Sequence, residues 1–239
     1  MRYLPGIQAL ILILSTLLAF RGEAQVNKGN HNFREFQAKA YYFGLTFGYN
    51  NSNFQVQPSS KFILNDSFNI AEGLGGPGLN VSIIGNMKLG EYFDFRFLPG
   101  FSFVGRKLFY VNAADEIEQI KRIESVLVQA PFQVRFKSDP FHDMRVFVLA
   151  GAKYTYDVAS NARIREEQAD RIIRISPHDY AIEIGAGFQF FLPFFILSPE
   201  IKYSQGIGNM LIYNSKLEQS TVIEKVFSRT FTISLHFEG

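Results

Sequence analysis

Eight times between Tyr41 and Phe237 the chain alternates apolar with polar or small side chains, residue by residue. A period of two is the period of a β-strand, whose successive side chains point to opposite faces. Phe43, Leu45, Phe47 and Tyr49 oppose Tyr42, Gly44, Thr46 and Gly48, and Leu79, Val81, Ile83, Gly85 and Met87 oppose Asn80, Ser82, Ile84, Asn86 and Lys88. The third run, from Glu91 to about Tyr110, sets Phe93, Phe95, Phe97, Phe101 and Phe103 against Asp94, Arg96 and Ser102. Five more follow at about 123–137, 144–157, 179–191, 195–205 and 225–237. Most are longer than the usual soluble strand of about 5–6 residues, and the links between them alternate in length. Short links fall around Gly90, Asp139-Pro140 and Leu192-Pro193; long ones span 51–77, 111–121, 158–177 and 206–224.

Long alternating strands with short and long connections in turn are the layout of an all-β, eight-stranded antiparallel up-and-down transmembrane barrel. Its tight turns face the periplasm and its four longer loops face outward. The rival is a soluble eight-stranded barrel of the lipocalin kind, with the apolar face turned inward around a ligand. Charge separates the two. Arg96, Arg106, Arg135, Lys137, Arg145, Lys153, Asp179, Glu183, Glu200 and Lys202 all lie on the polar face, with both signs present. The opposite face is nearly free of charge over the central positions, so lipid can replace one core. Tyrosines near strand ends, among them Tyr41, Tyr49, Tyr92, Tyr110, Tyr156, Tyr180 and Tyr203, suit a lipid-water boundary. Pro99 falls on the lipid side of the third strand, where a missing N–H predicts a bulge.

Residues 1–24 read as a signal peptide: Arg2, an apolar run from Ile7 to Phe20, and Gly22-Glu23-Ala24 with small residues at the positions signal peptidase reads. The run is short of the roughly 20 residues of a spanning helix, and an uncleaved anchor is the alternative. Cleavage near Ala24 leaves 25–40 as a polar periplasmic N-terminal extension and 41–239 as the outer-membrane barrel. The formal net charge of +2 gives no argument for nucleic acid, and with no Cys there is no disulfide framework or thiol chemistry.

The segments YYFGLTFGYN, GPGLNVSIIGNMKLGEYFDFRFLPGFSFVGRKLFY, APFQVRFKSD, AGAKYTYDVASNA and YAIEIGAGFQFFLPFFILSPEIKYSQGIGN together resemble the PorT/SprT family. These are outer-membrane barrels of the type IX secretion and gliding-motility apparatus of certain Gram-negative bacteria. The resemblance runs from about Tyr41 to Phe237, and its most specific pieces are LGEYFDFRFLPG and EIKYSQG. It implies a part in exporting cargo proteins across the outer membrane, with other secretion-apparatus subunits and outer-membrane lipid and lipopolysaccharide as partners. It brings no catalytic, cofactor-binding or metal-binding residue.

An eight-stranded barrel is just wide enough to be filled by its own side chains. The expectation is therefore an accessory or assembly subunit rather than the conduit, non-enzymatic and without cofactor, metal or small-molecule substrate. An adhesion or anchoring barrel is the alternative, and a rim-acting barrel enzyme a further one. The motifs support no chemistry. Gly73 to Gly78 matches G-x-G-x-x-G but precedes a strand, so it reads as a loop. GFSFVG around Ser102 lacks the second glycine of a nucleophile elbow. His142-Asp143 and His178-Asp179 fall at opposite barrel ends, and Glu183, Glu200 and Lys202 read as a lumen charge network. Residues 51–77 read as a mobile outer loop, and 158–177 carries Ile164, Ala169, Ile172 and Ile173 at helical spacing within a charged loop.

Overall fold

The computed structural model describes residues 31–58, 68–112, 118–159, 174–212 and 223–239. Twelve strand segments and one short helix are present among them. The helix α1, His31–Gln37, precedes β1 (Tyr41–Pro58), β2 (Phe68–Leu74), β3 (Gly76–Lys88), β4 (Phe93–Phe97), β5 (Gly100–Asn112) and β6 (Glu118–Lys137). Then come β7 (Met144–Asp157), β8 (Arg174–Ile175), β9 (His178–Phe191), β10 (Ile196–Gly206), β11 (Leu211–Ile212) and β12 (Ile223–Glu238).

Each spanning strand pairs antiparallel with its neighbours in sequence, and β12 returns to β1 along fifteen registered positions from Gly44↔Glu238 to Pro58↔Ile223. With β1 also paired to β3, the sheet closes on itself. β4 and β5 are one wall position, so the ring has eight strands. Closure leaves no edge in the wall, the condition for crossing lipid with strands.

The alternation read from the sequence is the alternation of the wall. Phe43, Leu45, Phe47, Tyr49, Leu79, Ile83, Phe93, Phe101, Phe103, Phe132, Ile184, Ile201 and Ile233 are all exposed, while the polar residues between them are buried. In β1 the exposed apolar side chains end at Tyr49, and the outward positions beyond are Asn51, Asn53, Gln55 and Gln57. Tyr41 to Tyr49 is about the 9–11 residues a tilted strand needs to cross the hydrocarbon. The remainder of the strand stands clear of it. On that upper wall Arg229 of β12 donates to Gln55 Oε1 at 2.9 Å and Gln205 Oε1 at 3.4 Å, tying three strands above the apolar band.

Several expectations change. No bulge forms at Pro99. Between Gly85↔Phe97 and Ser82↔Gly100 three residues advance on each strand, and the same holds against β6 from Phe97↔Phe132 to Gly100↔Gln129. Instead, ladder bonds are lost. Ile83 N–H donates to the Pro99 carbonyl at 2.9 Å and Leu98 N–H to the Pro131 carbonyl at 3.1 Å, but neither proline can return one.

The one-residue insertion is elsewhere. On β5 the register moves from Leu74↔Lys107 to Gly78↔Val104, so four residues oppose three, and the glycine-rich 73–78 stretch is a bulged strand rather than a loop. A Cβ at Gly76 would meet the Gly105 carbonyl at 2.0 Å, which is why the bulge takes glycine. Much of 51–77 is therefore strand, with 59–67 outside the described residues. The link expected at 111–121 shrinks, because β5 and β6 stay paired out to Val111↔Glu118. The helical spacing around Ile164 to Ile173 lies outside the described residues; Arg174 and Ile175 beside it pair with Ile212 and Leu211.

Candidate functional site

The lumen is where the barrel spends its charge. Among the described residues, seven cations (Arg96, Arg106, Arg135, Lys137, Arg145, Lys153, Lys202) and six carboxylates (Asp94, Asp157, Asp179, Glu183, Glu200, Glu238) are buried inside the wall. Strand alternation places them there, and most are drawn into layers across the barrel. Arg96 bridges Glu200 at 3.3 Å and Glu238 at 2.9 Å, and Arg135 approaches the same Glu238 at 3.3 Å. His236 Nε2 lies 3.1 Å from Glu200, and its Nδ1 is 2.7 Å from Thr46 Oγ1. One layer away, Lys153 and Lys202 converge on Glu183 at 3.3 and 3.4 Å, with Gln133 and Ser204 donating to that carboxylate at 2.8 and 2.7 Å. Ion pairs this deep survive only because partners and hydrogen bonds offset the lost hydration.

Apolar side chains fill the remaining space. Phe147, which the alternation alone assigns to the inside, lies with its ring 3.9 Å under the Arg135 guanidinium. It fits because Gly187 opposes it on β9: a Cβ there would meet the Phe147 ring at 2.5 Å and the Pro199 carbonyl at 2.4 Å. Arg96, Arg135, Asp94 and Glu183 are each 0% exposed, so these layers close the bore. A hollow of about 870 Å³ beside the 76–78 bulge is lined by outward Tyr49, Leu79 and Phe103 and by the buried Val104, Arg106 and Ser125.

Helix α1 closes the end of the barrel that carries the short turns. Phe33 and Phe36 pack on Phe191, the former edge-on with ring centroids 5.0 Å apart, and both join Ile196 in a small apolar cluster. Asp143 accepts from Phe33 N–H at 3.2 Å and from Asn32 Nδ2 at 3.4 Å, fixing the start of the helix. At its other end Lys88 donates to the Phe36 and Gln37 carbonyls. A polar reading of 25–40 misses this because two phenylalanines four apart or fewer give too little periodicity to stand out; the F-x-x-F spacing was the available signal. In the turns at this end the Tyr92 hydroxyl bonds the Asp139 carboxylate, which holds its pKa above the ordinary phenol range.

The two His-Asp neighbours are indeed far apart and differ in role. Asp143 anchors α1, whereas His178 Nδ1 is 2.7 Å from the Tyr154 hydroxyl at the other end, and Asp179 accepts from Ser228 inside the wall. Glu183, Glu200 and Lys202 do meet, as members of the ion-pair layers. No group of three or more His, Asp or Glu with metal-binding geometry occurs among the described residues.

A closed eight-strand ring with a lipid-compatible exterior is matched by a family model described as outer membrane protein beta-barrel domain, over residues 24–211. The chain belongs to that family. As an outer membrane protein beta-barrel domain it is located in the outer membrane. Solved structures similar to it include the outer membrane protein OprG of Pseudomonas aeruginosa, at 8% identity and TM-score 0.47, covering 83% of this chain and 95% of that one. Another is Ail, the attachment invasion locus protein of Yersinia pestis, crystallised with the heparin analogue sucrose octasulfate, at 13% identity and TM-score 0.37 over 84% of this chain and 100% of that one. Neisserial surface protein A is similar at 10% identity and TM-score 0.43, over 82% and 96%. A search among characterised proteins gives no match.

Proposed function

We propose that this outer-membrane barrel is a non-enzymatic accessory or assembly subunit of a protein-export apparatus, of the type IX secretion and gliding-motility kind that its PorT/SprT resemblance implies. The observation that carries the accessory role is the filled bore. With Arg96, Arg135, Asp94 and Glu183 wholly buried across the barrel, no polypeptide can thread it, so the conduit is another protein. Its working surfaces are then the periplasmic turns, the outer loops and the lipid-facing wall, where other secretion-apparatus subunits and lipopolysaccharide would be met. Cleavage near Ala24 and a mature start at Gln25 belong to this reading.

The experiment is deletion of the gene and measurement of cargo on the cell surface and of gliding. Loss of both, restored by the wild-type chain and by a variant carrying His178→Ala and Asp179→Ala, supports the export role and removes a rim-acting enzyme. A second reading, an adhesion or anchoring barrel, is favoured by the polar upper wall of β1 and β12 standing beyond the apolar band. Normal secretion in the deletion strain together with lost surface attachment would favour that reading and sink the first.

A further inference from the structure

Above the apolar band the outer wall of β1, β10 and β12 turns polar, and its charge is of one sign. The outward positions of these strands carry amides and two cations, Arg229 and Lys225, and no carboxylate among the described residues. Arg229 stands in register between Asn53 of β1 and Gln205 of β10. It is one outward position above Phe231, which is itself level with Asn51, where β1 turns polar. Two residues of a strand rise about 7 Å, or about 5 Å along the membrane normal at the usual tilt. The headgroup layer on each side of the hydrocarbon is roughly 5–8 Å thick, so the guanidinium lies within it. Its Nε and Nη2 donate to Gln205 Oε1 at 3.4 Å and Gln55 Oε1 at 2.9 Å. Gln205 Nε2 in turn reaches Gln55 Oε1 at 3.3 Å, and the Tyr203 hydroxyl donates to Gln205 Oε1 at 2.9 Å. Neutral acceptors thus fix the guanidinium and leave its charge to the outside. Lys225, four residues away on the same face, has the exposed Glu224 at 3.8 Å, a pair worth little in water.

We propose that this wall binds the phosphorylated headgroup of a lipopolysaccharide molecule, with Arg229 bonding a phosphate at the edge of the hydrocarbon and Lys225 meeting anionic groups further out. The site rests on the export reading for one thing, the orientation that turns the long connections outward. A guanidinium held in a fixed plane suits phosphate oxygens, because its N–H groups fork toward two of them at once. The amides around it add donors and acceptors for sugar hydroxyls. Lipid is the occupant because lipid already covers the wall directly below. A chain packed on Tyr49, Phe231 and Ile233, all exposed, carries its own headgroup to the level of Arg229 and keeps it there at high effective concentration.

The test titrates the full chain, refolded in a neutral detergent, with lipopolysaccharide, with the same lipopolysaccharide stripped of its phosphates, and with phosphatidylglycerol. Binding is read by native mass spectrometry. The wild type is expected to bind the phosphorylated form roughly tenfold more tightly than the stripped form, the scale of one hydrogen bond to a charged group. Added salt should narrow that gap. Arg229→Gln combined with Lys225→Gln, both at exposed positions, should remove the preference for phosphate. Should the double variant not fold, Lys225→Gln alone, outside the glutamine network, is expected to weaken lipopolysaccharide binding roughly threefold. Equal binding of the two lipopolysaccharide forms by the wild type, or variants with an undiminished preference, would overturn the proposal. So would phosphatidylglycerol bound as tightly as lipopolysaccharide, which would set this wall in a phospholipid leaflet. Purified chain and lipid contain no cargo, so failure here leaves the export reading to the deletion strain, and normal secretion in that strain leaves the lipid site standing.

Discussion

Glu238 shows how much of this barrel rests on single side chains. It is the penultimate residue, 1% exposed, and two arginines from different strands reach it, Arg96 at 2.9 Å and Arg135 at 3.3 Å. Removing its charge leaves both guanidinium groups dependent on Glu200, with Arg135 3.9 Å from that carboxylate. Breaking a buried pair by deleting one partner costs about 3 kcal/mol or more, because the partner's desolvation is no longer offset. Glu238→Gln keeps the shape, and is expected to destabilise the refolded barrel by about 3 kcal/mol in urea unfolding. A loss below about 1 kcal/mol, the scale of an exposed pair, would mean that water reaches this layer. The residue escaped sequence reading for a simple reason. The eighth alternating run is read only to about 237, one residue short of this carboxylate, and it is the closure of β12 on β1 that buries it. Gly239 N–H bonding the Phe43 carbonyl at 2.9 Å is that closure at its last step.

At the scale of elements, period carried most of the information and connection length the least. The phenylalanines at 93, 95, 97, 101 and 103 face outward across the β4–β5 break because alternation is a backbone property that a proline does not reset. What could not be read was how the strand would accommodate Pro99. Its N–H would have met the Ile83 carbonyl, since Ile83 and Pro99 face each other and Ile83 donates in the other direction. In lipid that carbonyl has no water to turn to. Pro99→Ala supplies the donor without disturbing register, so it is expected to stabilise the barrel by about 1 kcal/mol, seen as a higher urea midpoint at unchanged m-value. A destabilisation would show that the proline is needed to pre-set the chain there. Loops were misjudged for the opposite reason: polar, glycine-rich outer segments such as 68–78 look mobile, yet β5 extends far enough to pair with them once the barrel aligns the chains. Helix α1 was missed because seven residues carry too little pattern, and its order comes from tertiary partners at Asp143, Lys88 and Phe191.

For the whole molecule the decisive quantity is whether anything passes through it. Two obstacles stand in series: α1 across the mouth at the short-turn end, and the ion-pair layers around Arg96 and Glu183 deeper in the bore. They differ in kind. The helix is seven residues held by one aromatic cluster and a few hydrogen bonds, so it can be removed without touching the wall. The layers are contributed by six strands, and Gln133, Ser204, Thr46 and His236 lock them by hydrogen bonds to one another and to the carboxylates. Deleting 31–37 should therefore leave a folded barrel that is as silent in a planar bilayer as the full chain. If α1 were the gate of a channel, the deletion would produce discrete current steps; if the layers fill the bore, both forms stay at baseline. Steps from the intact chain would go further and remove the ground for assigning export to a separate conduit. Silence from both, with the deleted form losing surface cargo in cells, would place the contribution of α1 at the surface of the short-turn end, where a partner could meet it, and not in permeation.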